Sequence, residues 1–322
     1  MQILIIIEAI YMLLYYHEMV NSYKGRFVMK KKKNSLDHNQ GWALLFCGPN
    51  ILFFIIFFLW PAVIGLYYSF TNYDGWRNMD FIGLKNYIDL FQDSQFYSVF
   101  WNTVKYVVVS VPLGMVVSLF LAMLLNDETI KGNSFTRVLV YWPTLLSTIM
   151  VGVTWKWIFG ESFGVANYII QGMGLPKVGW FSTPTAAFWT TIIASVWSGC
   201  GVNMLIYLGG LKQIPADLYE AATIDGANTW QRFRNITIPS LKPVTFMILL
   251  TSMINAFKVF AMVQTLTNGG PGTATTYMIQ YIYQTGFTRN RHGYASAASM
   301  ILFVVLLLIS FFQTRLNAKS EE

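Results

Sequence analysis

The chain has 322 residues, 55% of them hydrophobic and only 11% charged, with a formal net charge of +7. A soluble domain carries about 25% charged residues, so too few remain here to cover a water-facing surface, and lipid is the implied solvent. No basic stripe is interleaved with aromatics, which excludes nucleic acid as a partner; the two cysteines fall inside apolar runs and form no disulfide framework; and His17, His38 and His292 show no metal-ligand spacing.

Residues 1–28 stand apart. Leu4 to Tyr16 is apolar, but Glu8 interrupts it and it falls short of the roughly 20 residues that cross a bilayer. Its positive charges, Lys24, Arg26 and Lys30 to Lys33, follow the apolar stretch, whereas a signal peptide places them before it. Met29 followed by four lysines looks like a bacterial start. The expectation is a cytoplasmic or interfacial extension over 1–40. Its first 28 residues are read as an upstream misreading of the gene or a dispensable addition, with an interfacial helix as the alternative.

Six apolar runs follow, over 41–72, 106–126, 138–158, 186–209, 243–264 and 294–314. In lipid only helices or closed barrels satisfy the backbone, and these runs are too long and too uniformly apolar for barrel strands. The predicted fold is therefore an all-α polytopic membrane protein with six transmembrane helices. Residues 104–315 form the five-helix core, and a tail covers 316–322. Lysine and arginine in short loops set the orientation. They gather before the first run, at Lys131 and Arg137, at Lys212, Arg232, Arg234 and Lys242, and at Arg315 and Lys319; Arg289 and Arg291 dissent. Both termini are expected in the cytoplasm. Segment 73–103 is then extracellular, and Leu84, Tyr87, Ile88 and Phe91 recur at helical spacing within it. Such a helix rests its apolar side on lipid or offers a shelf to an external partner.

The loop over 212–240 is a polar island. A proline near a helix start forfeits no hydrogen bond, and Asp217 in the first turn suits the positive end of the dipole, so Pro215-Ala216-Asp217 opens a helix. Leu218, Ala221, Ala222 and Asp225 share one side of it, and the alanines leave a smooth face that another protein can approach. Gly226 is placed to end this helix in a left-handed conformation. Asn228 is placed to cap a second helix carrying Trp230 and Phe233, which Pro239 closes before the fifth run.

Glu220-Ala221-Ala222 alone would be an ordinary amphipathic pattern. Here Gly226-Ala227, Phe233, Ile236 and Pro239 follow it at set distances. The stretch from Glu220 to Pro239 resembles the EAA loop in the transmembrane permease subunits of bacterial ABC importers. Phe58-Leu59-Trp60-Pro61 through Tyr68-Ser69-Phe70-Thr71-Asn72 is similar to the first span of sugar permeases. Thr267-Asn268-Gly269-Gly270-Pro271 is similar to the loop after the second-last span of maltose-type permeases. The resemblance covers about residues 40–318; Ile238, where the family has leucine before the proline, is a conservative departure.

The resemblance implies a type I, binding-protein-dependent importer of sugars or oligosaccharides. This permease and a second one would sit over two ATPase subunits, and an extracellular solute-binding protein would deliver the solute. The residues implied to couple to the ATPase are Leu218, Glu220, Ala221, Ala222, Asp225, Gly226, Ala227, Phe233 and Pro239. Glu220 would be the acidic contact and Gly226 the turn. Asn268, Gly269, Gly270 and Pro271 would meet the binding protein. ATP and magnesium would belong to the ATPase subunits, since the chain has no Gly-rich phosphate loop ending in Gly-Lys-Ser/Thr; no cofactor and no enzymatic activity are expected of the chain itself.

Polar groups within spans are candidates for the solute path: Ser198 and Asn203 in the fourth, and Ser252, Asn255 and Lys258 in the fifth. The plainer reading is hydrogen bonding between helices, or for Lys258 snorkelling toward headgroups. Glycerol phosphate and uronate oligomers remain alternative solutes. A self-contained secondary transporter would place acidic residues at depth, and none lies in the six runs.

Overall fold

The computed structural model describes residues 40–77, 79–126 and 132–321. The extension expected over 1–40, but for its last residue, and Lys131 of the 126–137 loop lie outside them. Among the described residues the fold is all-α, with Thr71 and Phe81 forming an isolated bridge. The chain divides into two compact units.

The first unit holds the residues through Asp93 together with Ile282–Phe311. Its leading helical run joins α1 (Gln40–Phe54), a π-helical turn (Ile55–Leu59) and α2 (Trp60–Ser69). The turn has a local cause. Pro61 has no N–H to give to the carbonyl four residues back, and the ladder slips by one residue so that the Trp60 N–H donates to the Ile55 carbonyl. The stretch Cys47–Ser69 has 23 residues, enough to cross a bilayer. A loop then folds back, with the Ile82 N–H on the Phe70 carbonyl at 2.9 Å, and leads into α3 (Lys85–Gln92). The same unit contains most of α15 (His292–Glu321). Gly293 at its start lies so close to the Thr71 carbonyl that a Cβ would collide with it, and its N–H donates to the Tyr73 carbonyl at 2.9 Å.

The second unit holds Ser94–Tyr281 and the chain from Phe312. It is built on two long apolar helices, α4 (Ser94–Asn126) and α8 (Pro184–Leu211), each long enough to span. Between them run α5 (Asn133–Tyr141), a 3-10 turn (Trp142–Leu145), α6 (Thr148–Ile158) and α7 (Val165–Gly172). After α8 come α9 (Ala216–Ile224), α10 (Thr229–Arg232), a π-helical turn (Phe233–Thr237), α11 (Ile238–Ser240), α12 (Lys242–Phe257), α13 (Ala261–Leu266) and α14 (Met278–Tyr283).

Two apolar runs are not single straight helices. The third is a pair, Asn133–Leu145 and Thr148–Ile158, bent by 102°. Pro143 enforces the 3-10 turn, and Ser147 goes extended to cap α6, accepting from the Met150 N–H at 3.3 Å. The fifth run, expected unbroken over 243–264, stops at Phe257 and resumes as α13 after Phe260 leaves the helical region. Hydropathy does not register either break, because each passes a single polar residue, Ser147 or Lys258, within apolar surroundings.

Lipid tails are as apolar as leucine, so helices here associate through close packing and interhelical hydrogen bonds. Ala187, Ala194 and Gly201 are buried on α8. A Cβ on Gly201 would lie 2.6 Å from the Val140 carbonyl oxygen and 2.9 Å from the Tyr141 Cα. At one end of the unit Ala122, Leu125, Met204, Tyr207, Leu208, Leu211, Leu241 and Ile248 form a buried cluster. Both chain segments flanking the polar island root in that cluster.

Candidate functional site

The polar island folds as a helical hairpin standing on this cluster. Pro215 caps α9 and Asp217 lies in its first turn. The Gly226 N–H donates to the Thr223 carbonyl at 3.1 Å, and the Ala227 N–H to the Ala222 carbonyl at 2.8 Å. With Gly226 at φ +75°, this is a Schellman ending, and the positive φ is the reason for glycine. Asn228 then opens α10 with a reciprocal capping box. Its Oδ1 accepts from the Gln231 N–H at 2.9 Å, and its own N–H donates to Gln231 Oε1 at 2.8 Å.

Two contacts hold the hairpin closed. The Tyr219 hydroxyl meets the Thr237 hydroxyl at 2.9 Å, and Arg232 Nη1 donates to Thr223 Oγ1 at 3.2 Å. The Trp230 and Phe233 rings pack at 5.5 Å. Pro239 does not close the second helix as expected. The Ile238 N–H donates to the Phe233 carbonyl, so the ladder widens to a π turn before this proline as it does before Pro61, and the chain runs on through α11 to α12 at a 64° bend.

Leu218, Glu220, Ala221, Asp225, Gly226 and Pro239 are exposed, whereas Ala222, Ala227 and Phe233 are half-buried within the hairpin. The exposed knuckle gains two residues that the sequence did not single out as contacts, Ile224, 87% exposed, and Trp230. Large apolar side chains held out on a rigid turn are what a protein partner covers.

The candidates for a solute path separate. Asn203 Nδ2 on α8 donates to Ser252 Oγ on α12 at 3.2 Å, joining two of them across helices. The Ser198 hydroxyl instead turns back to the Ser195 carbonyl at 3.1 Å. Asn255 is exposed one turn beyond Ser252, and Lys258 stands at the C-terminal end of α12, its N–H on the Asn255 carbonyl at 3.1 Å. Among the aromatics, Phe257 is buried and Trp197 meets Trp155 edge-on at 5.5 Å.

The loop after α13 is internally braced. Thr267 and Thr275 hydroxyls meet at 2.7 Å, Thr275 Oγ1 donates to the Gly270 carbonyl at 2.7 Å, and Gln264 Nε2 donates to Asn268 Oδ1 at 2.7 Å. Asn102 Nδ2 on α4 donates to the Thr273 carbonyl at 2.9 Å. Gly269 is buried, Gly270 and Pro271 are half-buried, and Asn268, Gly272 and Thr273 form the accessible tip. A second braced loop follows α6. Glu161 accepts from the Ser182 hydroxyl at 2.7 Å and the Phe181 N–H at 2.9 Å, and these bonds, the hydroxyl's first, hold its carboxyl below the ordinary glutamate range. Among the described residues no cluster of His, Cys, Asp or Glu could hold a metal ion.

Residues 43–321 match the family described as "Binding-protein-dependent transport system inner membrane component". The chain is 37% identical over 292 residues to a probable starch degradation products transport system permease protein, AmyD, of Thermoanaerobacterium thermosulfurigenes, covering 90% of this chain and 98% of that one. It is 34% identical over 275 residues to the arabinooligosaccharides transport system permease protein AraP of Bacillus subtilis, covering 85% and 87%. Among solved structures, a chain of a bacterial alginate ABC transporter, in complex with an alginate pentasaccharide-bound periplasmic protein, superposes with a TM-score of 0.78 at 28% identity, covering 88% of this chain and 96% of that chain. With this match, the helical hairpin and the bilayer-length apolar helices together, the chain belongs to the binding-protein-dependent transport system inner membrane components and is a multi-pass ABC transporter permease of the cytoplasmic membrane.

Proposed function

We propose that this permease, paired with a second one, forms the path for a sugar or oligosaccharide that an extracellular binding protein delivers, and that two ATPase subunits drive it through the hairpin at α9 and α10. The carrying observation is the hairpin itself. Its Schellman turn, capping box and Tyr219–Thr237 contact make it stiff, and its roots lie in the cluster shared by α4, α8 and α12. A push on the exposed knuckle of Leu218, Ala221 and Ile224 therefore reaches those helices directly.

The energetic logic is linkage. ATP bound between partner subunits shifts a two-state permease only by its differential affinity for the two states, so the coupling element must be rigid on both sides of the contact. Glu220 and Asp225 give the knuckle a negative rim, suited to a basic groove. Ser252, Asn203 and Asn255 offer the hydroxyl-matching donors and acceptors that a sugar needs, and the names of the relatives favour that class of solute.

The test uses the assembled complex with Ile224→Cys as the one reactive cysteine on the hairpin. A bifunctional thiol reagent is expected to join it to the ATPase subunit, and oligosaccharide-loaded binding protein is expected to stimulate ATP hydrolysis. Labelling of Ile224→Cys in intact cells by an impermeant reagent, without any adduct to the ATPase, would sink the reading.

A further inference from the structure

The first unit presents an apolar stripe that the transport reading leaves unused. The sequence grouped Leu84, Tyr87, Ile88 and Phe91 on one side of a helix. The structure divides α3 differently, into three faces. Asn86, Tyr87 and Leu90 turn inward; Leu84, Ile88 and Phe91 turn outward, 61%, 55% and 57% exposed; Lys85, Asp89 and Gln92 lie between the two.

The inward face fixes the helix's depth. Asn86 Nδ2 donates to the Ser69 carbonyl at 2.9 Å and the Thr71 carbonyl at 2.8 Å, and the Tyr87 hydroxyl donates to Ser69 Oγ at 2.7 Å. Ser69 is the last residue of the bilayer-length stretch Cys47–Ser69. The helix is therefore tied to the level where this bilayer-length helix stops. The stripe also continues the surface of that span. Leu66 and Tyr67 are exposed near its end, and the ring of exposed Phe81 lies 6.4 Å from that of Phe70 just beyond it.

We propose that α3 is a membrane-surface anchor whose Leu84, Ile88 and Phe91 side chains insert into the lipid interface, while Lys85 and Gln92 stay in the aqueous headgroup layer. An interfacial helix needs this division into an apolar and a polar side, and its apolar side sinks roughly 5–10 Å into the headgroup and acyl boundary. The anchor would hold the outer turn of the first span and the loop over residues 71–82 at constant depth while other parts of the permease move. The inference does not depend on which solute is carried.

The test is site-directed spin labelling of the assembled complex in vesicles of phosphatidylethanolamine and phosphatidylglycerol, with Cys47→Ser and Cys200→Ser as background. Nitroxides are placed at Leu84→Cys, Ile88→Cys, Phe91→Cys, Lys85→Cys and Gln92→Cys. Expected is preferential relaxation by oxygen, which partitions into lipid, at 84, 88 and 91, and by a water-soluble nickel chelate at 85 and 92. Nickel access at 88 and 91 equal to that at 85 overturns the anchor in favour of an aqueous face. Immobile labels at 84, 88 and 91 shut to both probes overturn it in favour of a protein partner on the same stripe.

Discussion

The hydroxyls of Tyr219 on α9 and Thr237 at the end of the π-helical turn lie 2.9 Å apart. They bridge 18 positions of sequence and join the first helix of the hairpin to the segment that leads into α12. Thr237 is buried, and Tyr219 is half-buried, so the bond is sheltered from competing water. Under the proposed coupling role, it would help carry displacement of the α9 knuckle to α12.

Tyr219→Phe is expected to remove a hydrogen bond worth about 1 kcal/mol and to lower ATP-driven uptake several-fold at unchanged expression. Thr237→Val should do the same. If the two act through their shared bond, the double variant is no worse than either single one. Uptake in proteoliposomes measured as a double-mutant cycle checks this, and additive losses would contradict it.

Gly226 has open space around the position of a Cβ and φ +75°, so substitution there is a matter of backbone strain alone. A left-handed conformation costs an L-residue roughly 1–2 kcal/mol, with asparagine tolerated best. The expected order of transport activity is glycine, then Gly226→Asn, then Gly226→Ala, with Gly226→Val lowest. Membrane insertion should be equal across the series, as read by the amount of permease recovered in the membrane fraction.

Gly201 and Gly209 lie on the same helix and predict opposite outcomes. A Cβ at 201 meets the backbone of Val140 and Tyr141, whereas one at 209 meets nothing within 4 Å. Gly201→Ala is expected to destabilise the unit by about 1–3 kcal/mol through overpacking, and Gly209→Ala to be neutral or slightly stabilising through helix propensity. Thermal aggregation of the detergent-solubilised protein measures both.

Asn203→Ala should weaken helix association modestly, since interhelical hydrogen bonds in membranes average about 0.6 kcal/mol. A larger fall in apparent solute affinity than in thermal stability, for this variant and for Ser252→Ala, would place the pair in the solute path. Equal small effects on both would make it a structural bond only.

Glu161 predicts a pH effect with a definite sign. Its folded pKa is depressed by the Ser182 hydroxyl and the Phe181 amide. The stabilisation is therefore present above the unfolded value of about 4.3 and is lost as pH falls through the folded value. Protection of the Phe181 amide against hydrogen exchange, taken relative to its intrinsic rate, should fall on acidification below pH ~4, and Glu161→Gln should flatten that dependence.

Much of the hairpin was legible in the order of residues because its signals are local. Pro215 starts α9, Gly226 supplies the positive φ, and Asn228 caps α10; each acts within one turn of chain. The π turns before Pro61 and Pro239 were not legible as such, although those prolines mark them. In sequence, a proline that ends a helix and a proline that the helix passes by widening its ladder look alike. Tyr87 was misassigned to the outward face of α3 because spacing sees its ring but not the Ser69 hydroxyl that draws it inward.

The sequence by itself determined that the chain lies in lipid, that it is helical, and where its one polar hairpin stands, because hydrophobicity and turn chemistry act over a few residues and need no partner. Only the tertiary structure decided that the third apolar run bends and the fifth breaks, that Asn203 reaches Ser252, and that the stripe of Leu84, Ile88 and Phe91 is tied to the end of the first span. Those outcomes depend on how closely one backbone can approach another and on which buried polar groups find each other, and residues far apart in the chain settle both.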